Sequence, residues 1–239
     1  ALELVVALGS GTDAIDSAAL AARGVGLATG RGVNASAVAD HAIALLLASL
    51  RNLVPLDRAV RAQGWGRGCA PPASVEHTRL GIVGLGAVGG EIARRAAAFG
   101  MAIAYHGRKP RADVACPYHA DLAEMAAWCN ALVLCCPGGP QTRHLVDARI
   151  LGLLGPAGHL VNVARGSVVD TAALIEALET GRIAAAALDV LEADAPEFGR
   201  LKGLPNLLLT PHTAGRSPES LAAALDLGLS HLRSHFFAG

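Results

Sequence analysis

Residues 81–89 read Gly81-Ile82-Val83-Gly84-Leu85-Gly86-Ala87-Val88-Gly89, an apolar run that passes into a G-x-G-x-x-G turn, and a helical run follows at Glu91–Phe99. In this order Gly84 allows a tight turn, Gly86 lets the backbone approach a pyrophosphate, and Gly89 lets the helix pack closely on the strand. The pattern predicts a dinucleotide-binding turn; the alternative is a plain glycine turn in a core. The expected cofactor contacts are Gly84, Gly86, Ala87, Val88 and Gly89.

The identity of the cofactor is predicted from the end of the next strand, about 20 residues further on, where an acidic side chain would hold the ribose of NAD. Here the chain reads Tyr105-His106-Gly107-Arg108-Lys109 and has no carboxylate. Two cations are instead placed to pair with the 2′-phosphate of NADP. We therefore predict NADP(H) in preference to NAD(H), with contacts at Gly107, Arg108 and Lys109. The alternative is an ordinary charged turn in solvent.

Around this turn, short β-type runs alternate with helical runs, which indicates an α/β protein with a parallel sheet. A helix is expected at Thr171–Thr180, with Asp170 as its N-cap and Gly181 as its stop. Parallel strands joined by crossover helices are typical of a Rossmann-type doubly wound sheet. Six strands are expected from Arg79 onward, at Leu80–Val83, Met101–Tyr105, Ala131–Cys135, His159–Val163, Ile183–Leu188 and Asn206–Thr210.

The chain before this sheet has its own elements. Strands are expected at Leu2–Leu8 and Val25–Thr29, with a helix at Asp16–Arg23 between them. One long helical stretch is expected at about Ser36–Arg61, and residues Gly64–Thr78 indicate a linker or loop. The helical stretch is apolar on most sides, which favours burial between domains or subunits. Because this stretch is too apolar to face water, we expect a homodimer, which the family resemblance given below also implies.

Composition limits the class of protein. The chain has 239 residues, 52% hydrophobic and 17% charged, which suits one large or two small folded domains. Lys plus Arg and Asp plus Glu number 20 each, so the basic excess expected of a nucleic-acid binder is absent. The longest apolar run, about Ala42–Leu50, is far shorter than the ~20 residues of a membrane span.

The five cysteines are an odd number without a C-x-x-C motif, and the pair Cys135-Cys136 lies in an apolar run. This pattern predicts strand side chains and neither a disulfide nor a metal site. The histidines likewise lack metal-ligand spacing. Without a signal peptide, the expected setting is soluble, reducing and cytoplasmic.

Reactive side chains follow the later strands. Arg165, Asp189 and His212 each lie within two residues of the end of an expected strand, and Asp194 is five residues beyond Asp189. Because open α/β sheets bind ligands beyond the carboxyl ends of their strands, we expect these groups beside a nicotinamide. Arg165 would bind the carboxylate of a 2-keto acid and polarise its carbonyl. His212 would protonate the carbonyl oxygen, kept protonated by an adjacent carboxylate.

Considered one at a time, each of these residues is also compatible with a non-catalytic role. Arg165 could be a phosphate or surface contact, His212 a hydrogen-bonded side chain at a strand end, and Asp194 a loop acid. Their joint position at strand ends behind a dinucleotide turn favours the catalytic interpretation.

These motifs resemble the D-isomer-specific 2-hydroxyacid dehydrogenases, and in particular their NADPH-preferring glyoxylate/hydroxypyruvate reductase branch. The resemblance covers essentially the whole chain. The runs that carry it are Gly9–Asp16, Val38–Ala42, Gly84–Gly89, Asn162–Asp170, Ala187–Val190 and Thr210–Gly215.

The resemblance implies a role for each of these residues. Arg165 binds the substrate and His212 is the acid/base, while Asp189 lies near the nicotinamide amide. The backbone around Ser10 and Gly11 helps to hold the substrate carboxylate. Residues 1–30 and 218–239 form a partial flavodoxin-like substrate domain, and residues 31–217 the NAD(P)-binding domain. Further cofactor contacts are expected at Pro137, Thr142, Ala164 and Gly215.

Two departures from the family pattern bear on activity. The family has Glu-Pro where this chain has Asp194-Ala195, so the carboxylate is one methylene shorter; Glu192 could replace it only if the loop is remodelled. The family's substrate domain also begins with βα units that would precede Leu2 and that supply one wall of the cleft. We expect a keto-acid reductase. The rival hypothesis is a catalytically weak NADP(H)-binding, sensing or partner-binding module.

Overall fold

The computed structural model describes residues 1–66, 71–192 and 198–237. The strands are β1 (Leu4–Ala7), β2 (Gly26–Thr29), β3 (Arg79–Val83), β4 (Ala102–His106), β5 (Tyr118–His119), β6 (Ala131–Leu134), β7 (His159–Asn162), β8 (Ala185–Leu188) and β9 (Leu207–Leu209). The helices are α1 (Ser17–Ala22), α2 (Ala35–Leu50), α3 (Leu53–Gln63), α4 (Ala87–Ala98), α5 (Leu122–Trp128), α6 (Ala148–Leu154), α7 (Thr171–Glu179), α8 (Phe198–Leu201) and α9 (Pro218–Phe237).

The larger sheet is parallel and has the order β5-β4-β3-β6-β7-β8-β9. The order reverses between β3 and β6, which is the switch point at which doubly wound sheets bind nucleotides. The Rossmann-type fold is therefore confirmed. The sheet has seven strands where six were predicted. The additional β5 pairs with β4 over only two residues, too few for a pattern to show in the sequence.

The strand sequences are apolar because helices cover both faces of this sheet. All four residues of β6 are buried, and successive side chains enter different clusters. Leu132 and Leu134 pack with α5, α6 and α7, whereas Ala131 and Val133 pack with α2 and α4. Continuous apolar runs of this kind are typical of buried parallel strands.

The single helix predicted for Ser36–Arg61 is wrong: the structure has α2 and α3, separated at Asn52, whose φ is 51°. Pro55 explains the break. In a continuous helix its ring would clash with the carbonyl of Arg51, but in the first turn of α3 the missing N–H costs nothing. Much of the apolar surface of α2 is covered within the chain, since five of its residues are buried in the core on the large sheet: Ala39, Ala42, Ile43, Leu45 and Leu46.

A separate, smaller sheet consists of β1 and β2 in parallel. Helix α9 packs on it, with Gly228 close to the side chains of Leu8 and Val6. The division into a substrate domain and a cofactor domain stays a prediction, which these two sheets support. In the part of the chain that the structure describes, no single helix has the length and hydropathy of a membrane span; α2 and α3 reach them only together, bent by 53°.

Candidate active site

The glycine turn between β3 and α4 has the form that a pyrophosphate needs. Gly84 has a φ of 96°, and a Cβ there would lie 2.8 Å from the Cα of Cys136. A Cβ on Gly89 would overlap the carbonyl of Gly84, whereas Gly86 faces open space. Helix α4 begins at Ala87, earlier than predicted, and its N-cap Gly86 offers no side-chain acceptor. The N–H groups of this first turn, at Ala87, Val88 and Gly89, therefore fit a phosphate ligand.

The adjacent cysteines pack beneath this turn. The thiol of Cys135 donates to the carbonyl of Gly84 at 3.0 Å. Burial raises the pKa of Cys136 to about 11, so this thiol stays protonated and unreactive. Both cysteines are free, as the sequence predicted; Cys69 lies outside the described residues.

The loop after β4 carries the predicted cations, with Arg108 and Lys109 both exposed. Sequence reasoning missed Arg111, whose Nη1 donates to the carbonyl of Leu85 at 2.6 Å. Its main-chain N–H donates to the hydroxyl of Tyr105 at 2.7 Å. Arg111 therefore ties the loop that follows the second strand to the glycine turn. In the sequence, Arg111 is a third cation two residues beyond Lys109, after Pro110, but nothing local indicates its contact with the glycine turn.

The side chain of Asn162 shapes the turn that presents Arg165. It donates to the carbonyl of Arg165 and accepts from the N–H of Ala164, both at 2.9 Å, and it is buried. The Nη1 of Arg165 donates to the carbonyl of Ala164 at 2.7 Å. The sequence motif alone did not predict this role of Asn162.

Arg165 joins the two sheets. Its Nε donates to Oδ2 of Asp13 at 2.9 Å, and a Cβ on Gly11 would overlap its Nη2. A Cβ on Gly138 would lie 2.7 Å from its Cγ. The structure thus brings Gly11 to the guanidinium, as the substrate-binding hypothesis requires, while Ser10 is exposed beside it. Glycine at both positions leaves room for this side chain.

Asp13→Asn should destabilise the fold by no more than about 1 kcal/mol at neutral pH, because solvent screens an exposed pair. The hydrogen bond from Arg165 lowers the pKa of Asp13 below its usual 3.8. A carboxyl whose pKa falls on folding stabilises the protein above its unfolded pKa, and loses that contribution as the pH drops through the folded value. In urea unfolding, the free energy of unfolding of the wild type should therefore exceed that of Asp13→Asn by an amount that is constant near neutral pH and shrinks below about pH 4. A difference in the free energy of unfolding that increases as the pH falls would contradict the ion pair between Arg165 and Asp13.

Asp189 organises the loop that carries His212. Its buried carboxylate accepts from the hydroxyl of Thr210 at 2.5 Å and from the N–H groups of Thr213 and Ala214, each at 2.9 Å. The main-chain N–H of His212 donates to the carbonyl of Asp189 at 3.0 Å. His212 has a φ of 54°, a left-handed conformation that is costly for a side chain of this size and is held by these bonds.

Three neighbouring strand ends therefore meet. The registers place Asn162 beside Leu188, and Leu188 beside Leu209, so Arg165, Asp189 and His212 emerge from the same edge of the sheet. Among the described residues, the imidazole of His212 makes no hydrogen bond to the protein. This arrangement can bind an anion at Arg165 and move a proton at His212.

Comparison with known proteins assigns the chain to a family. The model for the NAD-binding domain of the D-isomer-specific 2-hydroxyacid dehydrogenases matches residues 43–214. This chain belongs to that family. It is an oxidoreductase family whose cofactor domain binds NAD(P), so the dehydrogenase assignment made from the sequence is confirmed.

Individual relatives cover nearly all of the chain. It is 38% identical to the 2-ketogluconate reductase of Gluconobacter oxydans over 98% of its own length and 76% of the relative's. It is 39% identical to a glyoxylate/hydroxypyruvate reductase of Arabidopsis thaliana, over 98% of its own length and 75% of the relative's. A solved structure of the NADPH-dependent glyoxylate/hydroxypyruvate reductase of Sinorhizobium meliloti, in complex with NADP and malonate, superposes with a TM-score of 0.93 and is 41% identical in sequence. The match covers 100% of this chain and 76% of that one.

The carboxylate predicted to support His212 of this dehydrogenase, Asp194, lies outside the described residues. Its suggested substitute, Glu192, has other partners. Glu192 accepts from Thr171 at 3.1 Å and lies 3.1 Å from the Nε2 of His144 and 3.2 Å from Arg143. Glu192 would have to leave all three to reach His212, so Asp194 remains the candidate.

The other predicted cofactor residues of the dehydrogenase lie in ordered turns. Thr142 donates its hydroxyl to the carbonyl of Pro137 at 2.9 Å, which closes the loop after β6. A Cβ on Gly215 would overlap the side chain of Asn34, and the hydroxyl of Ser220 donates to the carbonyl of Gly215 at 2.8 Å. Within the described residues, no three metal-ligating side chains come together.

Proposed function

We propose that this dehydrogenase reduces a small 2-keto acid, such as glyoxylate or hydroxypyruvate, to the D-2-hydroxy acid with NADPH. The observation that carries the proposal is the meeting of Arg165 and His212 at one sheet edge, beyond a glycine turn that fits a pyrophosphate. The names of the relatives in Arabidopsis and Sinorhizobium support this substrate class.

Each residue has one task in the proposed reaction. The Nη2 of Arg165, which faces Gly11, binds the substrate carboxylate and draws electron density from the carbonyl. NADPH, when bound, supplies the hydride for the carbonyl carbon. His212 donates a proton to the carbonyl oxygen, and Asp194 keeps its imidazole protonated beforehand.

We predict that Arg108→Asp raises the dissociation constant for NADPH by roughly 10- to 100-fold, the range expected when a charge-assisted hydrogen bond is lost. Binding of NADH should change little, because NADH has no 2′-phosphate. Fluorescence titration with both cofactors measures the two constants, and substitution of the exposed Lys202, in the turn after α8, by Asp provides the matched charge change. An equal increase in the dissociation constants for NADPH and NADH would refute the contact between Arg108 and the 2′-phosphate.

The proposal includes a homodimer in a reducing, cytoplasmic setting. Helix α3 has no buried residue, and its Leu53 and Val60 are exposed together with the nearby Trp65. An exposed apolar surface of this kind is typical of a subunit contact.

NADPH consumption with a panel of 2-keto acids tests the proposed function. Turnover of glyoxylate or hydroxypyruvate, without turnover of simple aldehydes, is expected because Arg165 requires a carboxylate. NADPH binding without turnover of any keto acid would favour the NADP(H)-binding module. Absence of both binding and turnover would overturn the proposal.

A further inference from the structure

A histidine on α2 contacts the buried hydrogen bonds by which Asp189 holds the loop that carries His212. The Nε2 of His41 lies 3.0 Å from the hydroxyl of Thr210 and 3.5 Å from Oδ1 of Asp189. These three residues come from α2 and from the ends of β9 and β8. None of the chemistry proposed above uses His41.

The hydrogen positions in this network follow from its donors and acceptors. Thr210 has one hydroxyl proton, and the strongest acceptor beside it is the carboxylate of Asp189, at 2.5 Å. Its oxygen then has only lone pairs to offer to His41. The Nε2 of His41 must therefore carry a hydrogen, and the order of donation is His41 to Thr210 to Asp189.

We propose that His41 is a positioning residue for the His212 loop. By donating to Thr210, it holds that hydroxyl in the orientation that binds Asp189. Asp189 in turn holds the N–H groups of Thr213 and Ala214, and its carbonyl holds the N–H of His212. His41 thus acts on the proton donor through the loop and contacts no substrate. This inference rests on the proposed function, since the loop it orders carries the proposed acid.

The start of α2 is well placed for this task. Ala39 and Ala42, on either side of His41, are fully buried, so the helix cannot shift easily. Asn34, at the N-cap of α2, lies against Gly215 at the far end of the same loop. Helix α2 and its N-cap therefore contact the two ends of the loop that carries His212, at Thr210 and at Gly215. A displacement of α2 would move His212.

Two substitutions separate positioning from packing. His41→Leu removes the donor and should lower kcat for the keto acid about ten-fold, with a smaller change in KM, because a misplacement of about 1 Å in a catalytic group can cost ~100-fold and a smaller one costs less. His41→Gln places an amide N–H near the Nε2 position and should recover most of kcat. In a Thr210→Val background, His41→Leu should have no further effect on kcat. Equal kcat for wild type and His41→Leu would overturn the inference.

The far end of α2 provides a matched control. Ser49 makes a similar hydroxyl–imidazole hydrogen bond, at 2.8 Å to Nδ1 of His159, but at the opposite edge of the sheet. Ser49→Ala should lower thermal stability and leave kcat unchanged. A loss of kcat as large as that of His41→Leu would mean that any loosening of α2 is sufficient, and would overturn the specific role.

Amide hydrogen exchange gives a readout that does not depend on turnover. The N–H groups of Thr213 and Ala214 should exchange at least about ten-fold faster in His41→Leu than in wild type or Ser49→Ala, since their acceptor is less fixed. Unchanged exchange would refute the inference even if the wild-type chain proved inactive. Faster exchange together with an inactive wild type would support the inference and reject the proposed function.

Discussion

His212→Gln should lower kcat for glyoxylate by about 10²- to 10⁴-fold, the contribution typical of a positioned general acid. Glutamine resembles histidine in size and keeps a hydrogen-bond donor, but its amide cannot release a proton near neutral pH. Because the loop is held by the main chain of His212 and by Asp189, the substitution should leave the fold intact. The dissociation constant for NADPH should not change.

Steady-state kinetics and an NADPH titration on the same preparation measure these two quantities. His77→Gln is the control: His77 is an exposed histidine before β3, far from the carboxyl ends of the strands, and its substitution should change neither quantity. Wild-type turnover in His212→Gln would exclude the histidine as the acid. Loss of NADPH binding would indicate that the substitution had disrupted the loop.

Arg165→Ala should lower kcat/KM by about 10²- to 10³-fold, the effect expected when one partner of a hydrogen-bonded charge pair is removed. The substitution removes the anchor of the substrate carboxylate and also leaves Asp13 without its donor. Arg165→Lys should recover only part of the loss, because an ammonium group cannot bond Asp13, Ala164 and the substrate in the forked geometry of a guanidinium.

The control for charge and length is Arg182→Ala, which removes an exposed cation paired with Glu176 after α7. It should leave kcat/KM unchanged. The pattern across substrates is a second check: Arg165→Ala should reduce the preference for keto acids over aldehydes. An unchanged preference would mean that the carboxylate binds elsewhere.

The parts of the structure that follow local rules could be predicted from the sequence. Gly84, Gly86 and Gly89 occur at a spacing that one strand–turn–helix unit dictates. Asp170 caps α7 through a hydrogen bond to the N–H of Ala173, and Gly181 follows that helix with a φ of 67°, as predicted. In these cases the residues that decide the conformation are a few positions apart.

Most of the parts that sequence reasoning missed depend on contacts between distant residues. Arg165 and Asp13 are 152 positions apart, and His41 and Thr210 are 169 apart, so no periodicity indicates that they touch. Arg111 was overlooked because its role depends on where the glycine turn lies in space. The break at Asn52 was signalled locally, by Pro55, but the strong apolar pattern of α2 favoured one continuous helix.

The central claim is hydride transfer to a 2-keto acid with formation of the D-product, and isotope labelling tests it most directly. The chain is incubated with hydroxypyruvate and NADPH that carries deuterium in the transferred position, and the glycerate is resolved by chiral chromatography with mass detection. We expect D-glycerate with one deuterium at C2, formed about 10²- to 10³-fold more slowly by Arg165→Ala at substrate concentrations below KM. L-Glycerate, or glycerate without deuterium, would contradict it.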